Sequence, residues 1–195
     1  MRRIGAAMIG AALLVVVIVL AWPVSESRVA TPATYLDAAM PVWQFHERHA
    51  TYVAASPDKV FAAIRAVTAD DILFFRTLTA IRRLGRPLPP NILNAPKGEP
   101  ILDIATRTGF RYLADDPPRE LVVGTTVARG VDATMNFLVA PDGRGGSYVS
   151  TETRVFANTK RGARRFAIYW RVIHPGSDII RRMWLRAIKH RAERA

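Results

Sequence analysis

The chain has 195 residues, half of them hydrophobic, which allows one domain with a real core and an additional segment. It contains no cysteine, which excludes a disulfide framework, a thiolate metal site and a cysteine nucleophile. The formal net charge of +12 favours anionic partners. Because the basic residues come with no recognised DNA- or RNA-binding motif, nucleic acid is not a predicted partner.

An uncharged apolar run occupies residues 4–24, directly after Arg2 and Arg3. Its length is that of a bilayer-spanning helix, and we predict a retained transmembrane signal anchor over residues 1–24. A cleaved signal peptide is the alternative, with residues 19–21 as its cleavage site. Since the arginines precede the run, the positive-inside rule predicts a single-pass cell-membrane protein with a cytoplasmic N-terminus and an extracytoplasmic domain.

Residues 25–42 are rich in proline, serine, threonine and alanine without a clear period, and we predict a linker there. The domain is predicted over residues 43–195. It begins with a strand, because residues 42–55 alternate between two faces. Ser56-Pro57-Asp58 then has the N-cap and first-turn proline of a helix start.

The middle of the chain predicts a second helix followed by an antiparallel meander. The second helix covers residues 72–84 and is stopped by Gly85. Residues 100–107 are predicted to form one or two helical turns. Four further strands are predicted at residues 109–114, 120–128, 133–140 and 147–157, joined by turns rich in proline, glycine and aspartate.

The C-terminal segment predicts a long amphipathic helix. Ser177 has the N-cap position of a helix over residues 177–192, whose apolar residues recur at helical spacing. Residues 163–173 fit both a helix face and a strand face, so a final strand remains open there. We predict one long C-terminal helix that is kinked or broken near Pro175.

Several segments resemble the START-like, or SRPBCC, superfamily of helix-grip proteins. They are Tyr-Val-Ala-Ala-Ser-Pro-Asp-Lys-Val-Phe-Ala-Ala-Ile at residues 52–64, Ser-Thr-Glu-Thr-Arg at residues 150–154, and the later run of Trp170, Pro175, Ser177 and Trp184. The resemblance implies an α+β helix-grip fold, in which an antiparallel sheet wraps around a long C-terminal helix. It also implies an apolar-ligand cavity between sheet and helix, and no particular reaction.

From this resemblance we predict binding of a small hydrophobic or lipid-like ligand between sheet and helix. Such pockets are mostly apolar with a few placed polar groups. The predicted pocket residues are Phe75, Phe110, Asn136, Phe137, Glu152 and Trp170. No cofactor and no metal site is predicted, and the catalytic residues are unknown. Basic residues on the helix surface predict attraction to anionic lipid headgroups.

Two alternatives to ligand binding stay open. The first is an enzyme resembling a polyketide cyclase or dehydratase, for which Glu47, His49 and Glu152 are the candidate acid–base groups. Glu47 and His49 share one strand face, so they can pair, although a polar surface stripe is the simpler interpretation. The second is an envelope interaction protein with a filled core and no cavity.

Overall fold

The computed structural model describes residues 24–195, in which five strands form one antiparallel sheet. The strands are β3 (Phe45–Val53), β4 (Arg111–Asp116), β5 (Glu120–Ala128), β6 (Val131–Pro141) and β7 (Ser147–Ala157). Their order in the sheet is β3-β7-β6-β5-β4, so the first and last of these five strands along the chain are neighbours. The strand β3 pairs with β7 and forms one edge of the sheet.

The helices follow the predicted order. They are α2 (Pro57–Ala66), α3 (Phe75–Arg82), α4 (Ile101–Arg107) and α5 (Lys160–Ala192). The helix α5 is continuous through Pro175, so the single long helix is confirmed. The alternative of a break at Pro175 and the strand alternative for residues 163–173 are both wrong. The α+β class with a long C-terminal helix on an antiparallel sheet is likewise confirmed.

The main core lies between one face of the sheet, here called the inner face, and helices α2 and α5. Phe137 from β6 and Ile64 and Ile188 from the two helices are fully buried there. Side chains alternate along a strand, so the odd-numbered residues of β3, β6 and β7 point to this face. A second, smaller cluster joins Phe45 and Phe166 near the beginning of α5.

The opposite, outer face of the sheet is covered by the segment that precedes β3. This segment contains β1 (Ser27–Arg28), the short helix α1 (Tyr35–Ala39) and β2 (Val42–Trp43). Leu36 is completely buried, and Asp37 and Met40 are nearly so. Residues 25–42, predicted as a linker, are therefore folded onto the sheet in large part. The sequence shows no sign of this, because a helix of only five residues is too short to show a helical period.

No helix within residues 24–195 has the length and apolar character to cross a bilayer. The predicted signal anchor, except for its last residue, lies outside the described residues.

Candidate functional site

Two of the predicted pocket residues, Asn136 and Glu152, point to the outer face. Asn136 Nδ2 donates to Glu120 Oε1 at 2.7 Å, and its Oδ1 accepts from the Glu152 backbone N–H at 3.0 Å. The Glu152 carboxylate accepts from Arg154 Nε at 2.6 Å and lies 3.1 Å from His46 Nε2. The expectation that these two residues face the helix is corrected, because even-numbered positions of β6 and β7 point away from it.

The charges on the outer face are matched by partners. Burial would raise the pKa of Glu152, but hydrogen bonds from His46 and Arg154 bring it below its ordinary value. Arg154 also donates to Asp37 Oδ1 at 2.7 Å and to the Met40 carbonyl at 3.0 Å. These bonds fasten the N-terminal segment to the sheet.

Three predicted pocket aromatics belong to the main core or its border. The Phe137 ring lies edge-on against Trp184, with ring centroids 5.2 Å apart. Phe75 is buried in the same core, and Phe110 packs against it with partial exposure. Phe75 also lines a cavity of about 20 Å³, which is room for roughly one water molecule. These positions suit core packing; their role in binding a ligand stays a prediction.

Trp170 lines a groove where the edge strand β3 meets the first half of α5. The groove has a volume of about 280 Å³. Apolar and polar side chains both line it; the complete lining is Val24, Ser25, Gln44, Phe45, His46, Ala167, Trp170 and Arg171. The ring centroids of Phe45 and Trp170 are 6.0 Å apart. Aromatic side chains beside polar ones are suited to a small molecule that has both an apolar part and a polar group.

A polar cluster lies further along α5, between the helix and the inner face at β3. Glu47 and His49 are two positions apart on β3 and therefore point to the same face. His49 Nε2 lies 3.1 Å from Glu47 Oε1 and 3.3 Å from Asp178 Oδ1. The remaining oxygen of Glu47, Oε2, accepts from Ser177 Oγ at 2.8 Å. The side chains of Glu47 and His49 are 2% and 9% exposed, so the interpretation of these residues as a polar surface stripe is wrong.

Two threonine hydroxyls border this cluster on the inner face. Thr151 stands directly opposite His49 in the β3–β7 pairing, and Thr153 stands opposite Glu47. Within the described part of the chain, the Oγ1 atoms of both threonines are buried without a hydrogen-bond partner. Thr151 as a whole is 1% exposed. Buried hydroxyls without a partner are uncommon and call for an explanation.

Arginines of α5 neighbour the acidic groups. The Arg181 guanidinium contacts the Met135 sulfur, and its burial lowers the pKa of Arg181 to about 10, partly offset by the charge of Glu47. Arg182 donates to both Asp178 oxygens, at 2.8 and 3.2 Å. This pairing with Arg182, ahead of weaker contributions from His49 and His174, holds the pKa of Asp178 below its ordinary value.

The sequence pattern identified Glu47 and His49 but not Ser177, Asp178 or Arg181. The sequence pattern predicts that Ser177 and Asp178 begin a helix, because Pro175 precedes them. In the structure α5 runs through Pro175, so both side chains lie inside the helix and reach β3 instead of capping. Helical spacing from Ser177 to Arg181 and Trp184 is the sequence signal that these residues share one face of a continuous helix.

The antiparallel five-stranded sheet and the long C-terminal helix are consistent with the helix-grip class of α+β proteins. No protein-family model matches the chain, and no curated protein matches it significantly. Solved structures do match, and those neighbours are helix-grip proteins of the SRPBCC type, as the resemblance predicted.

Three of these neighbours illustrate the range of sequence identity, coverage and TM-score. Protein MLL2253 from Mesorhizobium loti is 13% identical, with 77% of this chain and 98% of that chain covered and a TM-score of 0.44. The di-domain aromatase/cyclase StfQ from the steffimycin biosynthetic pathway is 14% identical; the match covers 76% of this chain, about half of StfQ (50%), and has a TM-score of 0.46. Ara h 8.0201 is 11% identical, with 77% and 99% covered and a TM-score of 0.38. At such identities the likeness concerns the fold alone.

Proposed function

We propose that this protein binds a small, largely apolar molecule with an anionic or polar end in the groove between β3 and α5. The observation that carries the proposal is the groove itself, about 280 Å³ in volume, with Phe45, Trp170 and Arg171 in its lining. This volume is near the lower end of the range for small-molecule sites, about 300–1,000 Å³, so the ligand is small or is only partly enclosed.

The position of the groove favours a ligand that partitions into lipid. Val24, the last residue of the predicted membrane anchor, is part of the groove lining. If the anchor is retained, the groove lies at the membrane surface, where apolar molecules concentrate. The protein would then be a single-pass membrane protein with this domain on the extracytoplasmic side.

A photoactivatable medium-chain fatty acid tests the proposal on the full chain in lipid nanodiscs. Cross-links should map to residues 44–46 and 167–171. Ser25→Trp fills the groove from its exposed rim and should remove these cross-links. Ser27→Trp, an equally exposed change outside the lining, should keep them. Cross-links confined to residues 1–24, or unaffected by Ser25→Trp, would refute the groove as the site.

Anionic lipid headgroups are the second proposed partner. Exposed apolar residues of α5, such as Ile168 and Val172, lie within about two turns of the exposed Arg164 and Arg165. The Arg82 guanidinium of α3 donates to Tyr169 Oη at 2.8 Å, which brings the basic end of α3 to the same surface. Such a mixture of cations and apolar side chains is typical of a membrane-facing surface.

The absence of cysteine from the chain allows a single spin label to test this contact. A label at Val172→Cys, a position 71% exposed, should become protected from a water-soluble relaxation agent in phosphatidylglycerol nanodiscs but not in phosphatidylcholine nanodiscs. A label at Tyr148→Cys, 58% exposed on β7, is the control and should remain accessible in both. Equal accessibility at Val172 in the two lipids would contradict the proposal.

An enzyme is the second candidate function, favoured by the burial of Glu47 and His49 against α5. A dehydratase would remove the α-proton of a β-hydroxyacyl thioester with one group and protonate the leaving hydroxide with the other, giving an enoyl thioester and water. Formation of the conjugated thioester, followed by its ultraviolet absorbance, should occur with the wild type and be lost in Glu47→Gln. No turnover by the wild type would count against this candidate.

A further inference from the structure

We infer that Glu47, His49 and Asp178 form a binding site for a divalent transition-metal ion of the zinc type. The inference is independent of the proposed ligand groove, because none of the three residues lines it. Among the described residues, one ligand atom from each of the three lies within 4.8 Å of the others.

The spacing of the donor atoms suits a small tetrahedral ion. His49 Nε2 is 3.1 Å from Glu47 Oε1 and 3.3 Å from Asp178 Oδ1. Donors that surround zinc tetrahedrally at about 2.0–2.1 Å are about 3.3 Å apart, so a slight adjustment would place an ion between them. A single imidazole nitrogen holds at most one proton and cannot donate fully to two carboxylates. A divalent cation in place of that proton satisfies both.

Hydrogen bonds from neighbouring side chains orient the two carboxylates of the proposed site. Ser177 binds Glu47 through Oε2 and leaves Oε1 directed at His49. Arg182 holds the Asp178 carboxylate from the solvent side. Bonds of this kind fix the orientation of metal ligands in established sites. The Asp178 side chain is 30% exposed, which provides a route of entry for the ion.

The buried threonine hydroxyls supply an independent indication of a ligand. Thr151 and Thr153 face the cluster from β7, and their hydroxyls have no partner in residues 24–195. Three protein ligands leave a fourth position of a tetrahedral ion for water. A water molecule bound there would give these hydroxyls an acceptor or a donor.

The charge balance sets the kind of ion. Glu47 and Asp178 bring two negative charges, while Arg181 and Arg182 approach from α5 and weaken the attraction for any cation. Hard ions such as Mg²⁺ prefer oxygen ligands alone, whereas an imidazole favours zinc and similar transition metals. We therefore expect selectivity for Zn²⁺ or Co²⁺ over Mg²⁺.

Titration calorimetry on the full chain in detergent, first treated with EDTA, tests the site with Zn²⁺ and Co²⁺ as probes. Residues 1–23 contain no histidine, aspartate or glutamate, so specific binding maps to the described part. We expect one ion per chain, a Co²⁺ visible spectrum of a low-coordinate N/O site, and no displacement by excess Mg²⁺. His49→Gln and Asp178→Asn should each weaken binding by about tenfold or more.

Two control variants match these changes in chemistry but lie elsewhere. His190→Gln alters an exposed histidine of α5, and Asp70→Asn alters an aspartate that is paired with Arg76 much as Asp178 is paired with Arg182. Both should bind Zn²⁺ as the wild type does. Asp178 is partly exposed, so its variant should fold even if His49→Gln does not, and circular dichroism checks this. Absence of saturable Zn²⁺ binding to the wild type, or binding that survives both site variants, would overturn the inference.

Discussion

The two faces of the sheet differ in how completely their buried polar groups are paired. On the outer face, Arg154 donates to Asp37, and Glu120 accepts from the Tyr35 backbone N–H and from Asn136, so each of these charges has a close partner. On the inner face, one nitrogen of His49 is shared by two carboxylates, and two threonine hydroxyls have no partner within residues 24–195. Satisfied networks stabilise a fold, whereas incompletely satisfied clusters often belong to binding or catalytic sites. The difference supports a structural role for the outer face and the proposed binding site on the inner face.

The largest effect is expected from removing Arg154. Arg154→Ala leaves the buried carboxylate of Asp37 without its cation and removes one of the cations beside Glu152. Loss of one partner of a buried ion pair typically costs about 3–5 kcal/mol of unfolding free energy. Urea denaturation measures this change. Arg48→Ala is the control, because Arg48 is 3.7 Å from Glu152 with a side chain 57% exposed, and its loss should cost about 1 kcal/mol or less. Equal effects of the two variants would show that the outer network is not structural.

The next effect concerns the segment predicted as a linker. Leu36→Ala removes a fully buried side chain from α1 and should lower the unfolding free energy by about 2–5 kcal/mol. Leu73→Ala, at a leucine that is 55% exposed, should change it by about 0.5 kcal/mol or less. Thermal and urea unfolding of both variants would separate a segment that belongs to the domain from a tether that merely lies on it.

Acid should weaken the outer face. Burial would raise the pKa of Asp37, but hydrogen bonds from Ala33, Arg154 and Thr34 together bring it below the ordinary 3.8. The lowered pKa stabilises the folded state fully above pH 3.8, and this stabilisation disappears as the pH falls through the folded-state pKa. Wild type and Asp37→Asn should therefore differ in unfolding free energy at neutral pH and converge in acid. A difference that is constant with pH would contradict this assignment.

The smallest effect compares two buried threonines directly. Thr134 on the outer face donates to the Met40 sulfur at 3.5 Å, so Thr134→Val should cost about 0.5–1.5 kcal/mol. Thr151 on the inner face has an unpartnered hydroxyl, so Thr151→Val should be neutral or slightly stabilising in EDTA-treated protein. Unfolding of both variants in the same buffer measures the contrast. A loss of stability in Thr151→Val as large as that in Thr134→Val would mean that the inner hydroxyl has a structural partner after all.

The sequence by itself determined the elements that depend on local periodicity. Strands β5 and β7 have the predicted bounds, 120–128 and 147–157, because alternation and turn residues are local signals. The resemblance at residues 52–64 and the late Trp170–Trp184 run predicted the sheet with its long helix. The pairing of Glu47 with His49 on one face also followed from the period of a strand.

Only the tertiary structure decided which face each strand residue occupies and what lies opposite it. Alternation divides each strand into two faces but does not say that Asn136 and Glu152 lie on the face that the N-terminal segment covers, because a five-residue helix leaves almost no periodic signal. Nor does local chemistry distinguish Ser177 and Asp178 as caps from the same residues inside a helix that passes Pro175. Their approach to Glu47 and His49 joins positions 130 residues apart, and such contacts are set by packing across the whole domain.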